Sequence, residues 1–176
     1  MSTYLQKIRI LIVDDQNFTR ILLRGILGVH GTRRIDEAKN VEGAWEQVIT
    51  TPYPDMIIVD WEMEELDGLE LVRRIRQDDA SPDKYMPVIM LTAHSEKARI
   101  TVARDAGVNE FVIKPISPKT LFERIEMVVE HPRKFVRTKD FFGPDRRRHT
   151  ASFVGKDRRK AEPEAVDLPG DSTPTS

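Results

Sequence analysis

The 176-residue chain contains no cysteine, which excludes disulfides, thiolate metal sites and cysteine nucleophiles and leaves its chemistry to oxygen and nitrogen groups. No apolar run approaches the roughly 20 residues that a membrane-spanning helix needs, so no membrane insertion is expected. The apolar run at 10–13 stops at two aspartates and is followed by no cleavage-site pattern, so a secretory leader is not expected and a cytoplasmic location is the default. Aromatic residues make up only 7% of the chain, against 39% hydrophobic and 32% charged, which is the balance of a soluble globular protein.

Charge is unevenly spread. Residues 1–132 hold 17 basic and 22 acidic groups, residues 133–160 hold 11 and 3, and residues 161–176 hold none and 4. The sign changes where the apolar periodicity ends, which places a domain boundary near Pro132. One domain over 1–132 is expected, then a basic tail over 133–160. The last stretch, 161–176, is rich in Pro, Ser, Thr and acids and is expected to be disordered.

Within the first segment five short apolar runs, at 8–13, 34–38, 56–59, 88–91 and 110–113, alternate with amphipathic stretches. That order predicts an α/β fold, a five-stranded parallel sheet with helices on both faces. Phe18, Ile21, Leu22, Gly25 and Ile26 recur at helical spacing, as do Leu69, Val72, Arg73 and Ile75 less regularly. The last helix is the best marked: Ser117 suits the N-cap, Pro118 the first turn, and Leu121, Ile125, Val128 and Val129 form a stripe ending near Glu130. Gly107 is placed as a helix C-terminal glycine.

Ligands of such sheets bind outside the carboxyl ends of the strands. There the sequence places Asp14 and Asp15 after the first run, Asp60 after the third, Thr92 after the fourth, and Lys114-Pro115 after the fifth. Carboxylates gathered on one rim repel and call for a proton or a cation. With oxygen donors only, magnesium fits best, and Lys114 and Thr92 would supply a second positive charge and a hydroxyl to a phosphoryl group. Singly, each residue has a plain reading as a cap, a strand end or a loop; their joint occurrence in order is the informative feature.

The segments ILIVDDQ at 10–16, IIVDWEM at 57–63, VIMLTAH at 88–94 and FVIKPI at 111–116 resemble the four signatures of response-regulator receiver domains, over about residues 7–130. The resemblance implies a (βα)5, flavodoxin-like receiver fold. It implies that Asp60 accepts a phosphoryl group from a histidine kinase or a histidine phosphotransfer protein, in a phosphoacceptor rather than a conventional enzyme. By the same resemblance Asp15, Asp60 and the Glu62 backbone carbonyl bind Mg2+ directly, Asp14 acts through water, Thr92 and Lys114 bind phosphoryl oxygens, and the Lys114-Pro115 bond is cis. Thr92 and Phe111 are the implied switch pair, although Phe111 also fits plain core packing. Glu62 and His94 occupy variable flanking positions that tune dephosphorylation, His94 being otherwise a surface residue.

The basic tail holds an internal repeat, F-x-G-x-D-R-R-[RK], at 141–148 and again at 153–160. Twelve residues cannot bury a core of their own, so Phe141, Arg146, Arg147, Phe153, Arg158 and Arg159 are read as short docking elements, with a solvated basic linker as the plain alternative. No helix pair suited to DNA binding can be read after residue 132. The expected output is therefore phosphorylation-dependent contact with a downstream protein. The alternatives are a phosphorylation-independent adaptor or an RNA-binding regulator acting through the tail. A haloacid-dehalogenase-type phosphatase is disfavoured because the acid pair precedes Asp60.

Overall fold

A computed structural model describes residues 4–93, 96–138, 141–145 and 164–166. Its body is built from β1 (Arg9–Val13), α1 (Asn17–Val29), β2 (Arg34–Ala38), α2 (Val41–Ile49), β3 (Met56–Asp60), α3 (Gly68–Gln77), β4 (Val88–Thr92), α4 (Lys97–Ala106), β5 (Glu110–Ile113) and α5 (Pro118–Glu130). The strands form one parallel sheet in the order β2-β1-β3-β4-β5. This is the five-stranded parallel sheet expected from the alternation of apolar runs.

The central strands are apolar at nearly every position because both sheet faces are covered. Successive side chains point to opposite faces: Ile10 and Ile12 pack with Leu23 and Leu27 of α1 and Leu121 and Ile125 of α5. Leu11 and Val13 pack with Val41 and Val48 of α2, Leu69, Val72 and Ile75 of α3, and Ala103 of α4. Caps fix where the helices begin. Asn40, Asp67 and Ser117 each accept a backbone N–H three residues on, and Gly107 closes α4 with φ of 100°. Lys114-Pro115 and Thr51-Pro52 are cis.

Two expectations are corrected. In α1 the buried residues are Thr19, Leu23 and Leu27, and Ile26 of the expected stripe packs against the same core, whereas Phe18 (77% exposed), Ile21 and Leu22 face solvent. Helical spacing was right, but the chain carries apolar residues on both sides of this helix and periodicity alone cannot choose between them.

The second correction concerns the tail. Residues 135–138 and 141–144, expected to lie in a basic tail without a core of its own, form strands: β6 (Phe135–Thr138) and β7 (Phe141–Pro144) pair antiparallel. On the other edge of β6 lies β8 (Glu164–Val166), a strand inside the stretch expected to be disordered. The tail makes this sheet by packing on the body, with β7 lying against α3 and α4. Arg76, on α3, is 1% exposed; its guanidinium donates to the Gly107 carbonyl through Nε and Nη2 at 3.1 and 3.0 Å, to Asn109 Oδ1 at 2.9 Å and to the Lys84 carbonyl at 3.0 Å. Phe135 covers that guanidinium at 5.3 Å and joins Tyr85 and Phe142 in an aromatic cluster. Gly143 sits so close to Gly107 that an added Cβ would lie 3.0 Å from the Gly107 Cα. Arg133 pairs with the buried Glu110 carboxylate at the start of β5. Phe141 is buried within this arrangement.

Candidate functional site

The strand order places β1 and β3 side by side, with β2 beyond one and β4 beyond the other. The chain direction across the sheet reverses between β1 and β3, so their carboxyl ends flank the crevice where such sheets hold ligands. Asp14 and Asp15 follow β1 and Asp60 closes β3. One carboxylate oxygen from each of the three lies within 4.8 Å of the others. Asp14 is fully buried and Asp60 nearly so.

Each side chain is held by its neighbours. Asp14 Oδ1 accepts the Gln16 N–H at 2.8 Å, and Asp15 Oδ2 accepts the Glu64 N–H at 3.1 Å. Arg20, from α1, donates to the Asp14 carbonyl at 2.8 Å and fixes the turn from behind. Gly68 opens α3 directly against β3: a Cβ there would collide with the Asp60 carbonyl oxygen, so only glycine lets α3 start at this point. Just after β5, Lys114 Nζ donates to Asp60 Oδ2 at 2.8 Å and lies 3.7 Å from Asp14 Oδ2. Thr92, at the end of β4, is buried, and its carbonyl accepts the Lys114 N–H at 2.8 Å.

Burial pushes the Asp60 and Asp14 carboxyls above their usual range. The Lys114 hydrogen bond opposes this at Asp60, and the Gln16 N–H opposes it at Asp14. Two buried oxygens, Asp14 Oδ2 and Asp15 Oδ1, have no hydrogen-bond partner. Buried acceptors left open beside a third carboxylate, with no sulfur or imidazole among them, suit a hard, oxygen-seeking cation. The donor set fits such an ion.

The five rim residues named from the sequence, Asp14, Asp15, Asp60, Thr92 and Lys114, thus meet at one edge of the sheet. A profile of the response regulator receiver domain matches residues 10–126. The chain belongs to the response-regulator receiver family. This receiver is 36% identical to chemotaxis protein CheY1 of Helicobacter pylori over 121 residues, 69% of this chain and 96% of that one. It is 35% identical to a CheY homolog of Campylobacter jejuni over 69% of this chain and 92% of the relative. Among solved structures it resembles CheY4 of Vibrio cholerae, with a TM-score of 0.62 at 25% identity over 69% of this chain and 98% of that one. A response regulator of Chloroflexus aurantiacus gives 0.64 at 29% identity over 70% and 98%. These matches share the flavodoxin-like receiver fold.

Other sequence-derived residues fall in several places. Phe111 is buried in the cluster beneath α3 and α4, paired in register with Met90. Glu62 lies on the loop after β3, where its carboxylate accepts from Arg99 at 3.1 Å. His94 lies outside the described residues, as do Arg146, Arg147, Phe153, Arg158 and Arg159. Sequence reading missed Arg76 and Arg99, each one arginine among several on a helix surface with no local mark to single it out. It also missed the Phe135-Val136 pair, whose buried aromatic followed by an aliphatic was a short strand signal.

Proposed function

We propose that the chain is a phosphorylation-controlled response regulator in which Asp60 accepts a phosphoryl group and the output is contact with a downstream protein. The carrying observation is the Lys114 Nζ to Asp60 Oδ2 hydrogen bond of 2.8 Å beside two open, buried carboxylate oxygens. It supports a site that already balances one negative charge and offers open acceptors to a cation. Asp15 and Asp60, with the Glu62 carbonyl, would hold Mg2+ directly, and Asp14 would hold it through water. When bound, magnesium supplies charge neutralisation to the phosphoryl oxygens.

In this reading the chain's own residues do the positioning. An Asp60 carboxylate oxygen attacks the phosphorus of a phosphohistidine on a kinase or phosphotransfer protein, and the imidazole leaves as the P–N bond breaks. Lys114 keeps its ammonium on the rim and shifts its donation to a phosphoryl oxygen, and the Thr92 hydroxyl donates to another. Drawing Thr92 toward Asp60 changes the packing open to Phe111, so the fourth and fifth βα units shift between two populations. Glu62 and His94 flank the group and tune its lifetime. Acting as a phosphoacceptor with slow self-hydrolysis, the chain is a signalling switch. The CheY relatives are chemotaxis proteins by name, and a motility pathway is the first setting in which to seek its kinase and target.

Incubation with magnesium and acetyl phosphate tests this reading by intact mass. One phosphoryl group should be gained by wild type and lost again on removal of the donor, while a chelator should abolish the gain. Persistent mass gain in chelator would contradict the proposed site.

A further inference from the structure

Arg99 links the loop leaving β3 to the first turn of α4. Arg99 of α4 donates from Nη1 to Glu62 Oε1 at 3.1 Å, and its guanidinium carbon stands 5.7 Å from the Trp61 ring centroid. Trp61 and Glu62 are the two residues that follow Asp60. Trp61 is a fixed platform: its side chain is buried in the core and its N–H is held by the Leu91 carbonyl at 2.9 Å. Glu62 and Arg99 are both half-exposed.

An exposed pair of this kind contributes little to stability, so its position is the informative part. Two residues of chain keep the Glu62 Cα within about 8 Å of the Asp60 Cα. That separation is comparable to the Debye length of about 8 Å at physiological salt, so a bare Glu62 carboxylate is felt by anything approaching Asp60. Phosphodonors are anionic, and the rim already carries Asp14, Asp15 and Asp60 against Lys114.

We propose that Arg99 is a positioning residue for phosphoryl uptake: it neutralises Glu62 and holds that carboxylate against α4, away from the path of the incoming donor. This rests on the reading of Asp60 as phosphoacceptor. Stacking over Trp61 limits the freedom of the guanidinium, so the positive charge is held where Glu62 needs it. Because Arg99 rides on α4, movement of that helix shifts the Arg99–Glu62 pair and with it the charge beside the rim. Donor acceptance and the position of α4 are thereby linked, each influencing the other.

The test is a double-mutant cycle on the full chain, reading the initial rate of phosphoryl gain from acetyl phosphate by intact mass at saturating magnesium and low salt. Arg99→Ala should slow uptake about threefold or more, and the deficit should shrink as salt is raised. Glu62→Gln should restore the Arg99→Ala rate, and Arg99→Lys, which keeps the charge, should lose less than Arg99→Ala. An Arg99→Ala rate equal to wild type overturns the role, and so does a deficit that persists unchanged in the Glu62→Gln background. Wild type that gains no phosphoryl group overturns the phosphoacceptor reading itself, and this role falls with it.

Discussion

Asp14 and Asp60 are buried beside each other and beside Asp15, and that burial raises both carboxyls above their unfolded values of about 3.9. Above both values the folded and unfolded states are equally ionised, and the folded state alone carries the desolvation and repulsion. As pH falls through the raised folded value, the folded state takes up protons first. Stability therefore rises on mild acidification until the unfolded carboxyls also protonate. In magnesium-free buffer Asp60→Asn should raise the melting temperature by a few degrees at pH 7, and the gain over wild type should fall as pH approaches 4. Thermal unfolding of both proteins across that range checks this, and a constant difference would contradict the charge origin. Arg76 presents the opposite case of a charge that the interior needs. Desolvation lowers its guanidinium to about 9, still charged at neutral pH, and three acceptor groups close around it. Arg76→Ala would leave those acceptors open, create a cavity and remove the platform under Phe135. A loss of about 3 kcal/mol or more is expected in urea unfolding. The rim residues were legible in the sequence because each stands where an apolar run ends. Arg76 was not, because the RRIRQ stretch holds three arginines and only tertiary contacts separate the buried one from Arg73 and Arg74.

At the scale of elements, the β and α segments of the body followed from apolar runs and caps, but the facing of α1 and the fate of the tail did not. The α1 helix carries apolar side chains on more than one side, so its buried side is chosen by where the sheet lies. The tail strands are four residues or fewer, and β7 reads FFGP, a sequence that looks like a turn. These segments form their sheet packed on the body, where Phe135 covers the Arg76 guanidinium and Gly143 meets Gly107. Gly143→Ala should therefore loosen β6 and β7, since the new Cβ would meet Phe141 and the Gly107 Cα at 2.9 and 3.0 Å. A destabilisation of about 1–3 kcal/mol is expected, with faster amide exchange over residues 135–144. Unchanged exchange there would show that the close approach is relieved elsewhere. Gly68→Ala acts at the other end of α3: by pushing on the Asp60 carbonyl it should reduce phosphoryl uptake more than stability. Comparison of uptake rate with urea midpoint separates the two effects.

For the molecule as a whole, strands β6 and β7 pack on the receiver body at the end of the sheet opposite the acidic rim. The phosphoryl chemistry is thus placed at the carboxyl ends of the strands, and the tail grips the C-terminal end of α4 and the start of β5. A chain ending at residue 132 should melt below the full-length protein, because Arg76, Tyr85 and Glu110 would lose their covering partners. The most direct measurement on the whole chain is chemical. Phosphorylation with magnesium and acetyl phosphate, followed by borohydride reduction and peptide mapping, converts an aspartyl phosphate to homoserine at its own position. Homoserine at position 60, absent without magnesium and absent in Asp60→Asn, is the expected result. Homoserine at Asp14 or Asp15 instead, or none at all, would contradict the assignment of Asp60 as the switch.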